Sequence, residues 1–127
     1  MIRGIGTDVV EIARIDKALK RFGDRFVQRI LTQGERARFE RTGERARASH
    51  LAKRFAAKEA FAKAIGTGIH APFAWHSITV GRDERGKPGI EPSPAMAEHL
   101  ASIGVTHSHI SLTDDAGVAV AFVVLEG

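Results

Sequence analysis

The chain has 127 residues, 43% hydrophobic and 27% charged, with a formal net charge of +4 and no cysteine. That suits one domain, 1–127, with a real core; it excludes disulfides and thiolate metal sites, and no apolar run approaches the roughly 18 residues of a membrane span. The charge is uneven: residues 1–63 carry 16 Lys and Arg against 8 Asp and Glu, and residues 64–127 carry 3 against 7. A basic half points to an anionic partner, whether a phosphorylated small molecule, an acidic protein or nucleic acid. One Trp and no Tyr supply few stacking platforms for single strands. The opening MIRGIGTDVV lacks the order of a signal peptide, which with the absent cysteines fits a cytoplasmic protein.

Residues 2–8 are predicted as a short strand in which Gly4 and Gly6 allow close backbone approach. Val9, Ile12, Ile15 and Leu19 recur at helical spacing, predicting a helix over 9–22 that Gly23 interrupts. Residues 26–31 and 34–43 read as short helical pieces, and 47–65 as a long helix capped by Gly66. Around that helix Leu51, Phe55, Ala57, Phe61, Ala62, Ala64 and Ile65 point nearly everywhere, as in a buried helix. Residues 75–82 alternate like a strand and 83–88 compose a turn. Ser93 and Pro94 open a short helix to 103, and 107–112 with 117–125 form an antiparallel hairpin. The sum is an α+β domain, a long buried helix packed on a small antiparallel sheet, with helices mainly in the first half.

Four charges, Arg54, Lys58, Glu59 and Lys63, lie inside the apolar pattern of the long helix. Glu59 and Lys63 fit an ordinary i, i+4 surface pair. A carboxylate flanked by cations on a buried helix also suits a Mg²⁺–phosphate site, with Asp8 as a second carboxylate. In that case Glu59 and Lys63 face one ligand rather than pairing only with each other. Asp8 has its own alternative, a helix N-cap with Glu11 completing a capping box. His107 and His109 share one side of their strand; His109 could touch phosphate, and a zinc site lacks a third ligand. Arg14, Arg21 and Arg25 fall within about 40° of one another if the first helix continues past Gly23, beside Phe22 and Phe26. That stripe suits an acidic docking helix, a solvated basic face or an RNA backbone.

GIGTDVVEIARI at 4–15 and RFAAKEAFAKAIGTG at 54–68, with GKP at 86–88 and HISLTDD at 109–115, resemble the holo-acyl-carrier-protein synthases, a class of 4′-phosphopantetheinyl transferases. The resemblance spans nearly the whole chain. It implies transfer of phosphopantetheine from coenzyme A to a serine of apo-acyl carrier protein, with adenosine 3′,5′-bisphosphate released, in fatty acid biosynthesis. It implies Asp8 and Glu59 as ligands of Mg²⁺ (or Mn²⁺, which suits the same oxygens). Lys63 is implied at the pyrophosphate, and Arg54 and His109 near the 3′-phosphate. Lys58, Gly66, Lys87 and Pro88 complete the expected coenzyme contacts. Arg14, Arg21 and Arg25 with Phe22 and Phe26 are implied as the carrier surface, and a homotrimer with sites between subunits is implied as the assembly. The general base stays open between Glu59 and a water at the metal. Two positions depart from the family pattern: Asp114 follows Thr113 where many members carry histidine, and Lys53 stands where glycine is frequent. The rival reading is a basic RNA-binding module without catalysis, with steep salt dependence and no response to coenzyme A.

Overall fold

In the computed structural model, which describes residues 1–127, strand β1 (Ile2–Glu11) runs three residues past its expected end. Pairing with the last strand extends it, Asp8 opposite Ala121 and Glu11 opposite Val118, and this tertiary ladder overrides the helical spacing of Val9. Asp8 is therefore a strand residue and not a helix cap. Helix α1 (Ile12–Phe22) starts behind Glu11, which makes no side-chain cap bond. Gly23, at φ 57° and ψ −134°, breaks the helix before α2 (Asp24–Ile30), so one continuous arginine stripe from Arg14 to Arg25 does not form. Helix α3 (Gln33–Glu40) opens with a reciprocal capping box between Thr32 and Glu35.

Helix α4 (Arg47–Ala64) ends as expected at Gly66, whose φ of 85° lets Gly66 N–H reach Lys63 O and Thr67 N–H reach Ala62 O. A 3-10 turn, Trp75–Ser77, shortens the next expected strand to β2 (Ile78–Arg82). β2 pairs with β3 (Pro88–Pro92), Val80 opposite Ile90. Prolines at both ends of β3 mask this second hairpin in the sequence; they are tolerated on an edge strand. Helix α5 (Pro94–Ser102) is capped by the Ser93 hydroxyl, which accepts from Met96 N–H at 3.2 Å. β4 (His107–Asp115) and β5 (Val118–Glu126) join through Ala116 and Gly117, both at positive φ.

The main sheet is antiparallel in the order β1-β5-β4, and α4 lies across its inner face. Ala119, Ala121, Val123 and Leu125 of β5 are fully buried there. Beside them β1 presents Gly4 and Gly6, where a methyl group would overlap the carbonyl oxygens of Ala64 and Ala60. Strand and helix thus touch backbone to backbone, which explains both the glycines and the alanines of α4. On the outer face Ile5 and Val9 are each 61% exposed and Phe122 44%. No helix is long and apolar enough to cross a membrane.

Gly6→Ala is expected to cost about 3 kcal/mol of stability, since neither backbone can yield without disturbing the sheet. Thermal unfolding followed by circular dichroism measures it. A midpoint within about 2 °C of wild type would remove the contact from this account.

Candidate active site

The inner face of β1 carries Gly4, Gly6, Asp8 and Val10 in alternation, so the strand that grips α4 also aims Asp8 at it. The Asp8 side chain is 12% exposed and its Oδ1 lies 3.2 Å from Lys63 Nζ. Lys63 also donates to Thr7 O at 2.9 Å. Glu59 stands one turn before Lys63. Its carboxyl is pushed above the ordinary value, first by burial and then by the negative charge of Asp8, while Lys63 and Arg14 pull the other way. Asp8, Glu59, Lys63 and Arg14 form one electrostatic unit at the β1 edge. Lys63 turns to Asp8 and not to Glu59, so the i, i+4 surface pair is replaced by a cross-element cluster.

Two oxygen-donor side chains whose charges oppose each other in a half-buried place suit a hard cation. Asp8 and Glu59 meet that requirement, leaving further coordination positions to water and substrate phosphates.

Lys58 corrects the sequence reading. Its ammonium is fully enclosed and donates to Ile30 O, Glu35 Oε1 and Trp75 O, each at 2.7 Å. All three N–H groups are used, so none is left for a coenzyme phosphate. Burial holds Lys58 below its ordinary pKa, with Glu35 opposing. Glu35 spends its remaining capacity on Thr32 N–H and Val80 N–H, both at 2.8 Å.

The other expected coenzyme residues lie apart from Asp8. Arg54 stands five residues before Glu59, about 140° around the helix. It is 1% exposed, and Nη1 and Nη2 have no hydrogen-bond partner. Burial, then Arg82, lower its pKa to about 10, so it stays charged. His109 sits on the outer sheet face with Nε2 2.9 Å from Glu126 Oε1. Lys87 and Pro88 border a groove of about 350 Å³ along the β2–β3 hairpin, with Arg82. Gly66 follows Lys63 at the helix end.

Three of the five expected docking residues, Phe22, Arg25 and Phe26, converge on one cavity, while Arg14 and Arg21 lie outside its lining. The break at Gly23 folds α2 back so that Phe22, Arg25 and Phe26 line a cavity of about 410 Å³ together with Arg29, Phe55 and Trp75. Phe55 stacks on Trp75 at 5.0 Å, and the Arg21 guanidinium lies 5.2 Å over the Phe22 ring. The sequence marks Phe55 only as part of a buried helix and gives Trp75 no role; the sole Trp beside a turn is the available signal. Arg14 stands apart, near Glu59, and so links this surface to the carboxylates.

A family model described as the 4′-phosphopantetheinyl transferase superfamily matches residues 4–123. The chain belongs to that family. Among curated relatives, the holo-[acyl-carrier-protein] synthase of Vibrio parahaemolyticus is 48% identical, with 98% of each chain covered. That of Aromatoleum aromaticum is 49% identical over 99% of this chain and 98% of its own. The fold is shared with the synthase of Neisseria meningitidis, at a TM-score of 0.94 with 44% identity and full coverage of both chains. The Helicobacter pylori synthase solved in complex with coenzyme A superposes at 0.84 with 33% identity, over 96% of this chain and 99% of that one. The chain is accordingly a phosphopantetheinyl transferase with the α+β fold expected from its motifs.

Two outcomes check this geometry. Lys58→Ala strands the Glu35 carboxylate and is expected to cost about 3–5 kcal/mol in thermal or urea unfolding; wild-type stability would return Lys58 to the surface. Asp8→Asn removes the negative charge that raises Glu59, so the Glu59 pKa falls, as read by carboxyl-carbon NMR titration; an unchanged or higher value would separate the two carboxylates.

Proposed function

We propose that Asp8, Glu59 and Lys63 carry the transfer of 4′-phosphopantetheine from coenzyme A to a serine of apo-acyl carrier protein. The products are holo-acyl carrier protein and adenosine 3′,5′-bisphosphate. The observation that carries the assignment is the cross-element cluster: Lys63 holds Asp8 at 3.2 Å, while burial, then the negative charge of Asp8, raise the Glu59 carboxyl. Asp8 and Glu59 would hold Mg²⁺ (or Mn²⁺), which when bound neutralises charge on the coenzyme pyrophosphate. Lys63 uses two of its three N–H groups on Thr7 and Asp8. The third is free for a phosphoryl oxygen, where it stabilises the charge that develops as the carrier serine attacks the β-phosphorus in line. Gly66, at the turn behind Lys63, leaves room for the pyrophosphate.

Arg14, Arg21 and Arg25 with Phe22 and Phe26 receive the carrier. Arg14 acts on Glu59 from the first turn of α1, and Arg25 and Arg29 beside the apolar cavity suit an acidic helix. Arg54, Lys87, Pro88 and His109 take the nucleotide end of coenzyme A. They lie on the other flank of α4, along the β2–β3 hairpin and on the outer sheet face, away from Asp8, so a neighbouring copy would complete one site. A homotrimer with sites between subunits meets that need. The exposed Ile5, Val9 and Phe122 support it, since Val9 opposite Val120 and Ile5 opposite Val124 make the outer sheet face a continuous apolar surface. A cytoplasmic setting, where coenzyme A and carrier meet, belongs to the same reading.

Mass spectrometry of an apo-carrier incubated with the chain, coenzyme A and Mg²⁺ is expected to show a gain of about 340 Da on one serine. Asp8→Ala and Glu59→Ala are each expected to slow that gain by at least about a hundredfold with the fold intact by circular dichroism. Wild-type rates in either variant would remove the carboxylates from the mechanism.

A further inference from the structure

Helix α4 carries two lysine–carboxylate pairs of different kinds. Lys58 Nζ lies 2.7 Å from Glu35 Oε1, the side chains are 0% and 1% exposed, and every N–H of the ammonium is used. Lys63 Nζ lies 3.2 Å from Asp8 Oδ1, and the side chains are 52% and 12% exposed. The shorter bond of Lys63, 2.9 Å, goes to the Thr7 carbonyl, and its third N–H has no acceptor. A half-exposed pair of this length is weakly held, because water solvates the ammonium almost as well. The first pair is permanent; the second can be exchanged.

The exchangeable pair sits where it competes with a ligand. The close approach of β1 and α4 brings Thr7 O and Asp8 Oδ1 within reach of one ammonium. Glu59, one turn before Lys63, takes part in no ion pair. Lys63 is thus the only cation bonded to the carboxylate couple, and it is bonded to the Asp8 side alone. A divalent ion on Asp8 would meet that ammonium as a like charge at contact range. Mg²⁺ also demands near-octahedral room, with ligands at about 2.0–2.1 Å, which an ammonium on the same carboxylate restricts.

We propose that Lys63 is a built-in occupant of the cation place between Asp8 and Glu59: a divalent cation displaces its ammonium from Asp8, and the ammonium, still tethered to Thr7 O, turns to a substrate phosphoryl group with two free donors in place of one. This rests on the carboxylate reading above and adds an order to it. A cation arriving alone evicts Lys63 and gives it no new partner. A phosphoryl oxygen supplies that partner. Cation and phosphorylated substrate therefore each bind more tightly in the presence of the other.

Calorimetric titration of Mg²⁺ into the folded chain, with no carrier present and melting curves as a check on folding, reads the exchange. Asp8→Asn is expected to weaken binding at least about tenfold. Lys63→Met, with the competitor gone, binds Mg²⁺ about five- to tenfold more tightly than wild type. Arg14→Met removes a cation that acts on Glu59 but has no bond to Asp8, and changes the affinity less than about twofold. Coenzyme A tightens Mg²⁺ binding in wild type, and by a factor about threefold smaller in Lys63→Met. In spectra of ¹⁵N-labelled lysine ammonium groups, Mg²⁺ moves the Lys63 signal and leaves that of the enclosed Lys58 in place. Equal tightening in Lys63→Met and Arg14→Met overturns the exchange, since a general field then explains both. So do unchanged or weaker binding in Lys63→Met, equal coupling to coenzyme A in the two proteins, or a Lys63 signal that Mg²⁺ does not move. Binding unaffected by Asp8→Asn, or absent from wild type with and without coenzyme A, overturns the carboxylate reading itself; binding that needs Asp8 but ignores Lys63→Met overturns the exchange alone.

Discussion

Strand β1 meets helix α4 with no side chain between them, and the positions of Asp8, Glu59 and Lys63 follow from that contact. Gly4 and Gly6 give up their side chains against Ala64 and Ala60, and α4 answers with small residues along the same stripe. A helix this close to a strand cannot slide, because each backbone fills the groove of the other. Two residues along, strand alternation delivers Asp8 to the same face, and the flank of α4 delivers Glu59 and Lys63. The geometry of the cluster is thus set by backbone packing rather than by the cluster's own attractions, which two carboxylates side by side would oppose. That opposition is the useful property: it leaves a half-buried place that gains from a cation.

A second constraint fixes the opposite side of α4. The Lys58 ammonium gathers the end of α2 through Ile30 O, the start of α3 through Glu35 and the turn before β2 through Trp75 O. A buried ion pair of this kind contributes little net stability over a hydrophobic substitute, but its three directional bonds specify which loops meet. Trp75 is held by its carbonyl while its ring stacks on Phe55, so the same lysine that closes the core also fixes the apolar floor of the cavity between α2 and α4.

The class of fold and the carboxylate pair were legible in the sequence because each rested on a local rule. Helix α4, its glycine stop, the Ser93 cap and the β4–β5 hairpin all follow from spacing and turn chemistry. Asp8 and Glu59 were legible through their motifs. What escaped depended on partners distant in the chain. β1 outran its expected end because β5 paired with it; β3 stayed hidden behind two prolines. Lys58 read as a phosphate ligand because four charges on one helix look alike until the neighbours are known, and Glu35 lies more than twenty residues away. The bond between Lys53 and Asp114 had no local signal at all.

The charges of α4 divide by azimuth, and each finds a different substitute for water. Glu59 and Lys63 face β1, where Asp8 meets them; Lys58 faces α3, where Glu35 and two carbonyls satisfy it. Arg54 faces Arg82 and Arg38 and is satisfied by nothing within the chain. On the proposed reading, a helix with one flank organised around carboxylates and the other around an unsatisfied guanidinium would carry two halves of a site for a phosphorylated ligand, and a second copy of the chain would be needed to bring them together. The exposed Ile5, Val9 and Phe122 of the outer sheet face would offer such a copy a surface on which to associate.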